Sequence, residues 1–205
     1  MLGRGAGDIS VCSRSNVRGG ALRGRPHGPA RRPVWTIVLG VAAALWSGLA
    51  SSQATLESEI KATYLYKIAQ FVEWPPASFA ATQFTLCVIG TSPFGDLLRQ
   101  AVAGQRVAQL PIAVRNYRTI SGNPGCQLMY VTGSPEQSVA NVLSLVAGKP
   151  VLTVTDGQTA SNAIGVVNFV LADGRVRFEI DRREASEDGL AISSKLLGVA
   201  TRVLQ

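Results

Sequence analysis

The sequence predicts a single α/β domain, in which a mixed, mostly parallel sheet is flanked by helices and ends in a C-terminal β-hairpin and helix. Two features of the chain support this prediction. Short apolar runs typical of buried strands alternate with amphipathic or helix-capped stretches along most of its length. Near the C terminus, two strand-like segments stand on either side of Ala172-Asp173-Gly174, a sequence typical of a hairpin turn.

The opening of the chain predicts a secretion signal over residues 1–54. A pair of arginines precedes a mainly apolar run over residues 34–50, which carries no charge. Small residues then occupy the two positions that a signal peptidase reads, so cleavage is expected between Ala54 and Thr55. The alternative is an uncleaved membrane anchor, although this run is at the short limit for spanning a bilayer. The expected mature domain, residues 55–205, would act outside the cytoplasm.

The net charge of +7 resembles that of a nucleic-acid-binding protein, but the excess belongs to the leader. Residues 1–54 hold seven arginines and one aspartate, whereas the remaining chain holds 13 basic and 12 acidic residues. A nearly neutral mature domain has no electrostatic reason to bind a phosphate backbone. We therefore expect no nucleic-acid partner.

The mature chain is expected to open with an amphipathic helix that ends before Pro75 and Pro76. Its apolar face is formed by residues spaced four apart, namely Leu56, Ile60, Tyr64, Ile68 and Val72. Strands are predicted at residues 84–89, 111–117, 126–131, 151–155, 165–171 and 175–181. Further helices are predicted at 93–102, from an N-cap at Ser134 to Gly148, and from Arg182 onward in two pieces, with Gly189 as the break and Ser193 as the second cap.

The expected mature chain lacks the residues that common catalytic and metal sites need. The only histidine, His27, lies in the leader, which excludes Ser-His-Asp, Cys-His and ordinary structural zinc sites from the mature domain. No P-loop or dinucleotide motif is present, so no cofactor is expected. A pair of catalytic carboxylates stays open, the alternatives being ion pairing with arginine or simple solvation. The candidates are Asp156, Glu179, Asp181, Glu187 and Asp188.

The turn over residues 90–95, between a strand and a helix, is a candidate anion site because such turns expose backbone N–H groups. A plain connecting turn is the favoured alternative, since Pro93 removes one donor.

Cys87 and Cys126 are the two cysteines of the mature domain, and an even count in an oxidising compartment favours a disulfide over two buried thiols.

Two places are candidates for contact with a protein partner. In the strand over residues 175–181, charged and apolar residues alternate, so Arg177 and Glu179 are expected on the face opposite Val176. That face could bind a partner, or it could be an ordinary strand face in water. Trp74, beside two prolines, is the second candidate, with packing at a helix end as its alternative.

Taken together, five motifs resemble the YfiR-like family of small periplasmic proteins. In chain order they are Lys61-Ala-Thr-Tyr-Leu-Tyr-Lys67 with Phe71-Val-Glu-Trp-Pro75, Cys87-Val-Ile-Gly90 with Pro93-Phe-Gly95, Val151-Leu-Thr-Val-Thr-Asp156, Val176-Arg-Phe-Glu-Ile-Asp181, and Gly189-Leu-Ala-Ile-Ser-Ser-Lys-Leu-Leu197. The resemblance covers essentially the whole mature domain.

This resemblance implies a periplasmic regulator that represses a membrane-bound diguanylate cyclase of the YfiN type and so lowers cyclic-di-GMP signalling. It also implies an outer-membrane lipoprotein that relieves the repression, and a response to redox stress through cysteines. A repressor of this kind is expected to bind its partner or to self-associate, a homodimer being one candidate assembly. Cys87 and Cys126 match one disulfide of the family, whereas residues 161–168 lack the cysteines of a second. The alternative is a periplasmic ligand-binding protein that feeds a membrane sensor kinase. A carboxylate-dependent hydrolase is the third hypothesis.

Overall fold

The computed structural model describes residues 54–79, 82–157 and 163–205, which build an eight-stranded sheet with helices on both faces. The predicted leader lies outside the described residues apart from Ala54. The strands of this sheet are β2 (Phe84–Gly90), β3 (Arg106–Val107), β4 (Leu110–Tyr117), β5 (Leu128–Gly133), β6 (Leu152–Asp156), β7 (Val167–Ala172), β8 (Arg175–Asp181) and β10 (Arg202–Leu204). A separate two-stranded sheet joins β1 (Val72–Glu73) to β9 (Ala191–Ile192).

Within the described ranges, five α-helices and one 3-10 turn connect the strands. They are α1 (residues 54–69), the 3-10 turn Pro76–Phe79, α2 (Leu97–Val102), α3 (Val139–Val146), α4 (Arg182–Glu187) and α5 (Ser194–Leu197). None of the helices in the described residues is long and apolar enough to span a membrane.

The strand order is β10-β8-β7-β6-β5-β2-β4-β3. Strands β4, β2, β5, β6 and β7 run parallel to one another. Strand β8 is antiparallel to β7, β3 is antiparallel to β4, and β10 is parallel to β8. The chain leaves β2 toward β4 on one side and returns to β5 on the other, so the order reverses at β2. The predicted mixed, mostly parallel sheet with a C-terminal hairpin is confirmed.

Each face of the sheet carries its own apolar core. Helices α1, α2, α4 and α5 contribute to the larger core, in which α1 buries Ala62, Leu65, Ile68 and Ala69 with strand residues such as Leu86, Tyr130, Val154 and Phe169. Helix α3 covers the smaller core on the opposite face, where its valines pack with Cys87, Ile89, Cys126, Met129 and Val131. The central strands are covered on both faces, which explains why they read as continuous apolar runs.

The predicted ends of three helices are wrong by several residues. Helix α2 begins at Leu97 and not at residue 93, because Asp96 and not Pro93 precedes its first turn. Helix α1 ends at residue 69, and Val72 lies in β1, where it pairs with Ile192. Helix α3 begins after Ser138, whose side chain accepts the hydrogen bond from Asn141 N–H, so Ser134 is not its N-cap. The segment 134–137 is a turn instead, and the Gln137 side chain holds it by exchanging hydrogen bonds with the backbone of Ile120.

The C-terminal prediction is correct for the break between the two helices and for the cap of the second. It is wrong at the end of the chain, where α5 stops at Leu197 and residues 202–204 form β10 in place of the predicted helix. Gly189 separates α4 from α5, and Ser193 caps α5 by accepting from Leu196 N–H. The two-residue turn Asp173-Gly174 joins β7 to β8 with positive φ at both positions, as the hairpin prediction requires. Strands β9 and β10 were not predicted, because each is only two or three residues long and depends on a partner strand distant in sequence.

Candidate partner-binding surface

A continuous apolar groove runs along α1 where the helix faces strand β8. Its wider part, of about 610 Å³, lies between the first turns of α1 and the end of the β7–β8 hairpin. A narrower part of about 190 Å³ continues toward α5 and shares Tyr64, Val176 and Arg177 with the first. We call the two parts together the α1–β8 groove.

The α1–β8 groove contains most of the exposed large apolar side chains of the described residues. Leu56, Phe71, Leu171 and Val199 line it and are 41–64% exposed, whereas the fifth such residue, Ile164, lies elsewhere. Clustered exposed apolar side chains, unlike single ones, typically mark an interaction surface. This clustering makes the groove the strongest candidate for a functional surface.

The groove exists because the apolar face of α1 is wider than the face that the sheet covers. Leu65 and Ala69 are fully buried, while Leu56, Ile60 and Tyr64 follow one another on an adjacent stripe at a spacing of four residues. Tyr64 forms the floor, where its ring lies 6.4 Å from that of Phe169 and 6.2 Å from that of Phe178. The remaining stripe is left facing the groove.

The rim of the α1–β8 groove is cationic. Arg175, Arg177 and Lys67 are exposed, and none of them has a carboxylate within ion-pair distance among the residues that the structure describes. By contrast, Glu57, which also lines the groove, is already paired with Lys61. An apolar floor with unpaired cations on its rim suits a partner that offers apolar and acidic side chains together.

The three residues predicted for a partner surface occupy different environments. Arg177 lines the α1–β8 groove. Glu179 is bonded to Arg202 across the β8–β10 pair at 2.9 Å, and its side chain is mostly covered. Trp74 is 7% exposed, stacks edge-on against Phe84, and donates its indole N–H to Gln127 O, so it is a packing residue and not an exposed contact.

A buried polar network lies beneath the wide part of the groove. Lys61, 6% exposed, bridges the carboxylates of Glu57 on its own helix and Asp156 at the end of β6. Asp156 also accepts a hydrogen bond of 3.0 Å from the Tyr130 hydroxyl. Burial raises the pKa of Tyr130, and the charge of Asp156 together with this bond raises it further. The network fastens α1 to the carboxyl end of the sheet.

The other carboxylates that were candidates for catalysis have structural roles in separate places. Asp181 caps α4 by accepting from Glu184 N–H, and Glu187 lies on the exposed α4 surface, 3.8 Å from Arg183. Asp188 is 3% exposed and accepts a hydrogen bond from Gly148 N–H. Burial raises the pKa of Asp188 to about 6, an effect that the Gly148 bond opposes and the nearby glutamates of α4 reinforce.

The turn after β2 is occupied by backbone contacts. Thr91 N–H donates to Gly133 O, and Gly90 approaches Gly133 so closely that a Cβ on Gly90 would lie 2.0 Å from that oxygen. This turn therefore joins two neighbouring strand ends, and its Thr91 N–H is already bonded within the sheet. Among the described residues, no group of three or more His, Cys, Asp or Glu side chains could hold a metal ion.

Cys87 and Cys126 form a disulfide, as predicted, with their Cα atoms 6.0 Å apart. Cys87 lies in the middle of β2 and Cys126 just before β5, the parallel neighbour of β2. Both residues are buried under α3, at 0% and 2% exposure. The bond therefore ties two central strands inside the smaller core.

Sequence reasoning missed the α1–β8 groove and the Lys61 network. Lys61 interrupts the apolar stripe that Leu65 and Ile68 continue, and a lysine at such a position signals a buried partner. Its partner Asp156 lies 95 residues away, and the sequence alone does not connect the two residues.

Comparison with known families gives one result: the family model described as YfiR/HmsC-like matches residues 58–201.

Proposed function

Because the chain belongs to the YfiR/HmsC-like family, known for periplasmic regulation of cyclic-di-GMP signalling, we propose that it represses a membrane-bound diguanylate cyclase of the YfiN type. In this proposal, the protein is exported, its leader is cut between Ala54 and Thr55, and the mature domain binds the periplasmic part of the cyclase. Binding holds the enzyme inactive and lowers the cyclic-di-GMP level. The alternative is a periplasmic ligand-binding protein that feeds a membrane sensor kinase, and the first experiment below tests the proposal against it.

The observation that supports this proposal most is the α1–β8 groove. It offers apolar area along several turns of a helix, which suits an amphipathic segment of a partner protein better than a small polar metabolite. Its three unpaired cations provide the charge that would select an acidic partner and guide its approach. A regulator acts by occupying a surface, and the α1–β8 groove gathers four of the five exposed large apolar side chains of the described residues.

The first experiment compares the intracellular cyclic-di-GMP concentration in the native host with and without the gene. Deletion is expected to raise this concentration, and only a copy with its leader should restore it. If deletion changes nothing under any growth condition, the proposed repression of a cyclase is wrong. The alternative, a ligand-binding protein that feeds a sensor kinase, would then be tested by thermal shifts of the purified protein with metabolite pools.

Substitutions in the groove provide the second experiment. Leu171→Asp and Arg177→Glu should each abolish complementation, because removing a central contact of an interface typically costs at least about 2 kcal/mol, or roughly 30-fold in affinity. Ile164→Asp and Arg183→Glu are the matched controls, since each changes an exposed residue of the same type outside the groove. Equal loss in all four variants, or in none, would contradict docking through this groove.

The leader is tested independently by measuring the mass of the protein recovered from the periplasm. A mature chain that begins at Thr55 supports cleavage after Ala54. A chain that keeps residues 34–50 and fractionates with the membrane would contradict cleavage and favour the anchor. The implied lipoprotein and homodimer are tested on the same material, by co-purification and by sedimentation.

A further inference from the structure

The outer edge of β4 is open along most of its length. Strand β4 pairs with β2 on its inner side from Ile112 to Tyr117. On its outer side, β3 pairs only with Leu110 and Pro111 and then ends. In the part of the chain that the structure describes, residues 112–117 have no second neighbour in the sheet. Such an edge is a template for an added strand.

The turn between β3 and β4 fixes which backbone groups point outward. Ala108 and Gln109 form a two-residue turn with positive φ at both positions, so the flanking residues Val107 and Leu110 direct their N–H and C=O groups at each other. Because successive residues of a strand alternate in direction, Ile112, Val114 and Asn116 direct the same groups outward as Leu110 does. These residues would bond an incoming strand.

A second groove lies beside this edge, on the face that carries α2. It measures about 330 Å³, and its floor includes Val102, Ile112 and Val114. Arg99 and Arg106 stand on its rim. A strand added to β4 would place every second side chain over this floor, so apolar side chains suit that face of the incoming strand.

The charge around the edge has one sign. Between Asp96 and Glu136 the sequence contains no acidic residue but four arginines, Arg99, Arg106, Arg115 and Arg118. Asp96 pairs with Arg99 and Glu136 with Arg118, which leaves Arg106 and Arg115 without a carboxylate within ion-pair distance among the described residues. Arg115 is exposed and lies beside Cys87 in the register, so it projects on the α3 face of the sheet.

We propose that the outer edge of β4 binds an extended, acidic segment of another protein as an added strand. The segment would alternate apolar residues, placed over the α2-side groove, with carboxylates that meet Arg115 on the opposite face. Pairing two copies of this edge would instead bring the unpaired arginines of both copies together, and like charges across strands are unfavourable. This surface is separate from the α1–β8 groove and does not depend on the proposed repression of a cyclase.

A proline substitution at Asn116 tests whether the outward N–H groups of β4 bind the added strand. Asn116→Pro removes an outward N–H without removing a hydrogen bond to β2, and its side chain is exposed, so the fold should tolerate it. Asn116→Ala is the matched control, because it keeps the N–H. Urea denaturation first verifies that both variants are folded.

The probe is the peptide acetyl-(Glu-Val)4-amide, titrated into the isotope-labelled exported protein and followed by amide NMR and hydrogen exchange. We expect slower exchange at Ile112, Val114 and Asn116, and binding at least about ten-fold tighter than that of acetyl-(Lys-Val)4-amide, because like charges oppose the second peptide. Asn116→Pro should lose binding, Asn116→Ala should keep it, and Arg115→Glu should reverse the peptide preference.

Three results would overturn the proposal. Equal binding of the two peptides would contradict the charge preference. Changes in amide chemical shift that lie away from β4 would contradict the proposed site. A dimer that Asn116→Pro converts to a monomer, with no effect of either peptide, would assign the edge to a second copy of this chain.

Discussion

Removing the charge of Lys61 should destabilise the protein far more than removing any exposed lysine. The ammonium group is buried and bridges Glu57 and Asp156, so Lys61→Met keeps the volume of the stem while it takes the cation away from the buried Asp156 carboxylate. Breaking a buried pair in this way costs about 3–5 kcal/mol. At about 2–4 °C per kcal/mol for a domain of this size, the melting temperature should fall by roughly 6–20 °C.

A double substitution separates the cost of leaving the buried carboxylate without the Lys61 cation from the value of the ion pair. Asp156→Asn keeps an oxygen that accepts from the Tyr130 hydroxyl but removes the negative charge. Lys61→Met combined with Asp156→Asn should therefore recover about 1–3 kcal/mol relative to Lys61→Met alone, because buried ion pairs are often replaceable by neutral groups.

The assay is urea denaturation of four proteins at one pH, with the disulfide intact. They are the unchanged protein, Lys61→Met, Asp156→Asn and the double variant. Lys67→Met is the control, since Lys67 is exposed on the same helix. This substitution should change the free energy of unfolding by no more than about 0.5 kcal/mol. A cost below about 1 kcal/mol for Lys61→Met, or strict additivity in the double variant, would refute the view that this network fastens α1 to the sheet.

Three further predictions concern stability. Replacing both Cys87 and Cys126 with alanine should cost about 4 kcal/mol, from a bond spanning 39 residues, and equal urea midpoints with and without the bond would contradict this. Because the pKa of Asp188 is raised to about 6, its ionisation opposes folding, so the contribution of Asp188 to stability should fall as pH rises from 4 to 7. The free energy of unfolding of Asp188→Asn, relative to that of the unchanged protein, should therefore increase by about 1–3 kcal/mol over this range, and parallel pH profiles of the two proteins would argue against it. Changing Ala108-Gln109 to Asn-Gly should stabilise by about 1 kcal/mol, because both residues now have positive φ; an unchanged thermal midpoint would show that the turn is unstrained.

The sequence predicted those parts of the fold in which the local pattern of apolar and turn-forming residues matches their burial in the structure. The central strands appear as apolar runs because both of their faces are covered, and the Asp173-Gly174 turn has the residue types that its positive φ values favour. The disulfide was predictable from the even cysteine count. The order of strands was not predictable, because nothing in the local sequence indicates that β4 is added on one side of β2 and β5 on the other.

The candidate site was less predictable than the fold, for two physical reasons. Arg177 was identified from alternation within one strand, but the groove that it lines requires α1 and β8, which are more than a hundred residues apart. Trp74 was a candidate contact with packing as its alternative, and the sequence could not decide between them. Its 7% exposure and the bond from its N–H to Gln127 O favour packing. Exposure of a side chain is a property of the assembled molecule.

The burial of both sulfurs under α3 has a consequence for the timing of their chemistry. Neither a thiolate nor an oxidant can reach Cys87 or Cys126 while α3 lies on the sheet, so the bond must form while the chain is still folding. Once folded, the protein retains the oxidation state that it acquired then, and a reductant acts only as fast as this layer opens. The oxidation state of the two cysteines is thus set by the redox conditions during folding, and it changes afterwards only when α3 opens.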